Sequence, residues 1–355
     1  MTAIRVYDEL GEHDRWPDLA APMPPAAQPS EVTPEETARL ALERLEIART
    51  ADVRGDDPWA EAGRKVIRFH LVRMLGHVAG VVAGDDPEEV HAMRVACRRI
   101  RAAWRVFGDG FEADPRRRYR RDLRAIGAGL GAVRDLDVMV EILDAYREKR
   151  PARQRSALEP LHAAWRAERD TRRGSLVTLL RSTMFEQFVA EYTTLATEGR
   201  LDARTIAPNE PATVRTRMPS TMWEAYQAVW AFDGDLQAAD MVTLHRLRID
   251  AKWLRYTLEF IREPLEPEAT TLLRRVIALQ DHLGDIHDLN GAATLARDFT
   301  ERSGGLGRLE HSATTRLERT LDARTARLQR GLGPTWRRLS GPGYRSGLGQ
   351  AIARL

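Results

Sequence analysis

Residues 90–107 read VHAMRVACRRIRAAWRVF, and residues 244–261 read LHRLRIDAKWLRYTLEFI. Set one under the other, His91 falls on His245, Arg94 on Arg248, Arg98 on Lys252, Ile100 on Leu254 and Arg101 on Arg255, all at an offset of 154. The match continues downstream at an offset of 153: Tyr119, Leu123, Ile126, Leu130, Val133 and Leu136 correspond to Leu272, Val276, Leu279, Leu283, Ile286 and Leu289. Both copies close on Leu-Gly-x-x-x-Asp-Leu. A pattern shared over some fifty residues with one deletion indicates duplication, which shapes the architecture more than any local feature does.

Plotted at about 100° per residue, the first helix of each copy divides into two faces. His91, Arg94, Arg98 and Arg101 keep within a stripe roughly 80° wide, and Arg105 falls inside it. Met93, Cys97, Ile100, Ala103, Trp104 and Phe107 lie opposite, as Leu247, Ala251, Leu254, Leu258 and Ile261 do in the second copy. Each helix therefore packs one side and offers cations on the other. From His91 to Arg101 the cations form a rail roughly 15 Å long at about 1.5 Å rise per residue, suited to an extended polyanion.

An arginine run on a helix is ordinarily a solvated face laced with i, i+4 carboxylates. Here no acidic residue lies between His91 and Arg105, and the same four positions recur in the second copy. Like charges so placed repel, so a compensating partner is expected. The two histidines alone are open to a packing or helix-start role. Their place on the cationic side favours anion contact.

The 355-residue chain is 43% hydrophobic and fits an all-α protein with a sizeable core. Residues 1–33 are acidic and rich in proline, without periodicity, and read as a disordered lead-in. Thr33-Pro34-Glu35-Glu36 reads as a capped helix start, giving a helix and linker over 34–58. From Trp59 onward the pattern predicts amphipathic helices of ten to twenty residues. The first half spans 59–200, a linker carrying Pro208, Asn209 and Pro211 without an apolar stripe spans 201–213, the second half spans 214–345, and 346–355 form a tail.

Six arginines face fourteen Asp and Glu in residues 1–63, a local charge of −8 that leaves +11 for 64–355. Only Lys65, Lys149 and Lys252 among the 55 basic residues are lysine. Arginine suits bidentate phosphate or carboxylate contact. The single cysteine, Cys97, excludes an internal disulfide framework and fits a reducing compartment. No basic-then-apolar leader opens the chain, and no apolar stretch approaches the ~18 residues of a membrane span, so a cytoplasmic protein without membrane contact is expected.

HAMRVACRRIR with LGAVRDLDV, and HRLRIDAKWLR with LGDIHDLN, resemble the two halves of a CHAD domain, the conserved histidine α-helical domain. The resemblance covers about residues 60–345. It implies two four-helix bundles related by a pseudo-twofold axis, with basic stripes lining a central cavity that binds inorganic polyphosphate; some members associate with polyphosphate granules. The binding role falls on His91, Arg94, Arg98 and Arg101 and on His245, Arg248, Lys252 and Arg255, with Arg99 and Arg105 as additions. The sequence departs from the pattern where Trp253 stands opposite Arg99, and where His287-Asp288-Leu289-Asn290 stands opposite Arg134-Asp135-Leu136-Asp137. The second half is expected to be less cationic there. No Glu-x-Glu-x-Lys string of the triphosphate-tunnel domain occurs, so no triphosphatase domain is inferred.

Two other readings compete with non-enzymatic binding. Asp281, His282, Asp285, His287 and Asp288 form a cluster at helical spacing that suggests a divalent metal in a phosphohydrolase of the HD type. Against it, the first copy has Gly129 and Arg134 where the second has His282 and His287, and arginine ligates no metal. Asp135 and Asp288 read instead as supports that cap a helix end or orient stripe arginines. Single-stranded nucleic acid would be attracted by counterion release, but only Tyr256 offers a ring near the stripe for base stacking. Gly127-Ala128-Gly129-Leu130-Gly131 lacks the Lys-Ser/Thr of a phosphate loop and reads as a turn. Arg116–Arg121 read as the solvated start of a helix. No cofactor, metal or catalytic residue is assigned; the acidic N-terminal segment is a candidate for a protein partner of unknown kind.

Overall fold

The computed structural model describes residues 28–198, 203–232, 234, 236–303 and 305–355. The lead-in read at 1–33 lies outside the described residues up to residue 27, and so do the first two residues of the linker read at 201–213. Among the described residues the chain is all-helical, with extended pairing confined to isolated bridges. The helices are α1 (Pro34–Arg44), α2 (Trp59–Gly76), α3 (Val78–Ala83), α4 (Pro87–Phe107), α5 (Ala113–Arg147), α6 (Ala152–Ala157) and α7 (Glu159–Leu180). They continue as α8 (Thr183–Glu198), α9 (Val214–Trp230), α10 (Met241–Phe260), α11 (Glu268–Arg302), α12 (Arg308–Arg330), α13 (Leu332–Ser340) and α14 (Pro342–Ile352).

The predicted start at Thr33 is present: its hydroxyl accepts from the Glu36 N–H at 3.2 Å, and Pro34 occupies the first turn. The two stripe helices share a cap that the sequence reading passed over. Asp86 Oδ1 accepts from Glu88 N–H at 2.8 Å before α4, and Asp240 Oδ1 accepts from Thr243 N–H at 2.7 Å before α10. These caps are again 154 residues apart, so both stripes begin at the same helical phase.

α4 packs between α2 and α5, and α10 between α9 and α11. α5 also runs along α7 and α8, while α11 carries α12, α13 and α14. The two groups meet where α4 touches α10, α5 touches α11 and α2 touches α9. The apolar faces read from the sequence are the core: Met93, Cys97, Ile100, Trp104 and Phe107 are buried, as are Leu247, Ala251, Leu254, Leu258 and Ile261. All twelve downstream positions from Tyr119 to Leu136 and from Leu272 to Leu289 are buried too. A second apolar cluster, with Leu143, Trp165, Leu289 and Leu321, joins the far ends of α5, α7, α11 and α12.

Three expectations need correction. α5 and α11 are each 35 residues long, well beyond twenty. Gly127, Gly129 and Gly131 accordingly sit inside α5 and form no turn. A mid-helix glycine costs roughly 1 kcal/mol against alanine, and close packing accounts for two of the three: a β-carbon on Gly127 would stand 3.3 Å from Cys97 Sγ and one on Gly129 3.2 Å from Leu176 Cδ1, whereas Gly131 has room for a methyl group beside the Arg94 guanidinium. Finally, Trp59–Ala83 is long and apolar enough to cross a membrane by length and composition. Its apolar residues Val66, Ile67, Leu71, Met74 and Val78 are fully buried in the core against α4 and its neighbours, which accounts for that composition.

Residues at the read boundaries are held in place. Pro29 bridges Ser182, and Thr183 N–H donates to the Gln28 carbonyl at 2.9 Å. In the linker, Arg204 N–H donates to the Gly110 carbonyl at 2.9 Å. At the C-terminus, Leu348, Ala351 and Leu355 are buried.

Candidate binding site

His91, Arg94, Arg98, Arg101 and Arg105 all lie partly exposed along one side of α4, opposite its buried face. Arg94 Nη1 donates to Asp135 Oδ1 on α5 at 2.5 Å, with its guanidinium resting over Gly131. Arg101 lies beside Gly127. The missing counter-charge of the stripe thus comes from another helix, where spacing within α4 could not show it. Asp135 and Asp288 sit in the interiors of α5 and α11, so neither caps a helix end. Orientation of arginine is the role the geometry retains for Asp135.

The α5–α11 contact brings the supporting carboxylates of both copies into one electrostatic field. Burial pushes the Asp288 carboxyl above the usual carboxylate range against the pull of Arg248, while Asp135 and Asp285 reinforce the rise and Arg94 opposes it. Arg94 and Arg248, from different copies, therefore act on the same carboxyl group. Burial also holds the His91 imidazole below its ordinary value, helped by Arg134, Arg98 and Arg94 and opposed by Glu88. In the second copy His287 replaces Arg134, and its ring lies 5.4 Å from that of His245. Position 134/287 thus acts on position 91/245 in both copies, through charge in the first and ring contact in the second.

The second stripe is more committed to the protein than the first. Arg255 donates through Nε to Glu259 at 2.6 Å and through Nη1 to Gln280 at 3.0 Å. Lys252 is 5% exposed, whereas its counterpart Arg98 is only partly buried. Arg248 remains partly exposed, and the buried Nε atoms of Arg98, Arg99 and Arg248 find no hydrogen-bond acceptor among the described residues.

Sequence reasoning named Arg99, Arg105, Trp253 and Tyr256 but missed Glu259 and how these side chains pair between the two stripes. Arg99 pairs with Glu259 of α10 at 3.1 Å. Arg105 stacks over Trp253 with its guanidinium carbon 4.1 Å from the ring centre, and Arg98 lies 5.8 Å over Tyr256. Trp253 therefore holds a cation of the other copy in place of being one. The only available signal was its offset of 154 from Arg99.

The residues of the metal reading point to different neighbours. His282 turns to α12, where Nε2 meets the Leu328 carbonyl at 2.8 Å, while His287 packs on His245; Asp281 and Asp285 are exposed. Among the described residues, no three His, Cys, Asp or Glu converge on a metal position. In Arg116–Arg121, Arg117, Arg118 and Arg121 are exposed, in accord with a solvated helix start.

The CHAD domain family model matches residues 65–297. In three dimensions the chain is similar to the crystal structure of the CHAD domain from the plant Ricinus communis, with a TM-score of 0.64 and 23% identity over 86% of this chain and 96% of that one. It is similar as well to PptA from Streptomyces chartreusis, with a TM-score of 0.63 and 15% identity over 79% of this chain and 100% of that one. At these identities the likeness is one of fold. No curated protein matches the sequence.

Proposed function

We propose, from the premise that this chain belongs to the CHAD domain family, that it binds inorganic polyphosphate through the paired stripes without chemically altering it. The observation that carries the reading is the direct contact between the two stripe helices, where Arg105 lies 4.1 Å over Trp253 and Arg98 lies 5.8 Å over Tyr256, so that the two rails run on adjoining helices. Arginine forks grip phosphate oxygens in pairs, and a tract drawn from two helices favours a long chain over a compact anion. His91, Arg94, Arg98, Arg101, Arg105, Arg248 and His245 are its contact residues. Lys252 contributes charge from a buried position and Arg255 does so while paired with Glu259; Arg99, turned to the other side of α4, ties the two stripe helices together through the same Glu259, and Asp135 and Asp288 orient arginines.

The contacts between halves favour two bundles related by a pseudo-twofold axis. Arg99 meets Glu259, and the residues 154 away from each, Trp253 and Arg105, meet one another. Reciprocity of this kind is what a twofold operator produces. The same reading assigns the halves to 59–200 and 214–345 and puts the protein in the cytoplasm, with polyphosphate granules as a destination.

Binding to long-chain polyphosphate, short-chain polyphosphate, ATP and single-stranded RNA, compared for the native chain and an Arg94/Arg98/Arg248/Lys252→Ala variant, tests the proposal. The expected order places long-chain polyphosphate first, with affinity falling as salt rises and collapsing in the variant. Equal binding by a folded variant would remove the site; preference for RNA would move the protein to the nucleic-acid class, and metal-dependent phosphate release would make it an enzyme.

A further inference from the structure

Beside the α4–α10 contact, a groove of about 500 Å³ opens between α2, the loop before it, the end of α10 and the first turns of α11. That volume lies in the ~300–1,000 Å³ range of small-molecule sites. None of His91, Arg94, Arg98, Arg101, His245, Arg248 or Lys252 lines it. Arg99 does, because it sits about 100° around α4 from Arg98 and so faces away from the stripe.

The walls are apolar: Val66 and Phe69 from α2, Phe260 from α10, Leu273 and Ile277 from α11. Such walls have nothing to offer a bare polyphosphate. The rim is cationic, with Arg49, Arg99, Arg262 and Arg274 against Glu259 and Glu263. Glu259 is already shared by Arg99 and Arg255, and Arg262 is held by Glu266 at 2.9 Å. Arg49 and Arg274 are exposed and have no carboxylate partner among the described residues.

Within the groove lies His70, 6% exposed, its ring 5.0 Å from Phe69 and 6.1 Å from Phe260. Its Nδ1 is buried without a hydrogen-bond partner. A buried polar atom left so is costly unless a ligand or water meets it. Burial, then Arg99 and Arg73, push this imidazole down to about 3, so at neutral pH it meets a ligand as an uncharged hydrogen-bonding group.

We propose that this groove is a second ligand site, taking an organic phosphate. Its apolar or aromatic body would rest on Phe69, Phe260 and Leu273, its phosphate between Arg49, Arg99 and Arg274, and a polar atom would meet His70 Nδ1. The site goes beyond polyphosphate binding and does not depend on it. Calorimetry with AMP and with 1-naphthyl phosphate tests it, using inorganic phosphate as control, with and without saturating long-chain polyphosphate. A probe should bind in both conditions, shift the His70 imidazole resonances, and lose at least tenfold in affinity in an Arg49→Glu/Arg274→Glu variant. Both substitutions are on the exposed rim, and polyphosphate affinity of that variant should stay within about twofold. The proposal is overturned if neither probe binds, if polyphosphate displaces them, if inorganic phosphate binds equally well, or if the folded variant binds as the native chain does. Polyphosphate binding is read separately, so failure of one site leaves the other standing.

Discussion

The guanidinium of Arg105 lies 4.1 Å over the ring of Trp253, joining helices that belong to different copies of the repeat. Cation–π pairs contribute about 0.5–1 kcal/mol when exposed and about 2 when desolvated, and this pair is partly buried. A double-mutant cycle with Arg105→Met and Trp253→Leu, read by urea denaturation, should return a coupling of about 1 kcal/mol. Coupling near zero would show that the two rings of charge and π density do not meet in solution.

Arg98 and Lys252 occupy equivalent positions but unequal environments, the lysine being 5% exposed and the arginine open to solvent on one side. If the stripes release counterions when they bind a polyanion, each phosphate contact adds about one to the slope of log affinity against log salt, as for nucleic acids. Arg98→Ala should reduce that slope by about one and leave the melting temperature nearly unchanged. Lys252→Ala should leave the slope largely intact and lower the melting temperature, because it disturbs a buried position. Matching behaviour of the two variants would contradict the asymmetry.

How far the sequence could be read follows from this contrast. Periodicity is a property of one helix, so it exposed the stripes from His91 and His245, the buried faces from Met93 and Leu247, and the duplication itself. It could not expose what depends on how helices cross. Asp135 under Arg94, Glu259 beside Arg99 and Trp253 beneath Arg105 are distant in sequence, and their meeting is set by register between helices. Glycine misled for a related reason: Gly127, Gly129 and Gly131 carry a turn's composition, yet each lies against a neighbouring helix within one unbroken α5. His70 escaped notice because a lone histidine on an apolar helix carries no pattern at all.

His70 also predicts how stability varies with acidity. Its folded pKa is pushed down to about 3, below the ordinary ~6.5 of the unfolded chain. The folded state therefore binds fewer protons, so the titration of this histidine costs nothing above pH ~6.5 and becomes increasingly destabilising as pH falls from there toward 3. At pH 5 the cost is about 2 kcal/mol, taking about 1.4 kcal/mol per pH unit below 6.5. Urea midpoints at pH 7 and pH 5 should differ by that much more in the native chain than in His70→Asn, which cannot titrate. Equal pH dependence in the two proteins would assign the effect elsewhere.

Gly131 separates the space that Arg94 needs from the helix propensity that α5 lacks. A β-carbon added there would stand 3.7 Å from Arg94 Nη2, an ordinary contact, with the backbone already helical. Gly131→Ala is therefore expected to stabilise the fold by up to about 1 kcal/mol, with the Arg94–Asp135 bridge and polyphosphate affinity preserved. Gly131→Leu has the same helical advantage but fills the space occupied by the guanidinium. Arg94 must then leave Asp135, and affinity should fall several-fold while the helix content measured by circular dichroism stays the same. Were the leucine variant to bind as tightly as the alanine variant, the position of Arg94 over α5 would have no part in holding the anion, and the rail would have to be drawn without it.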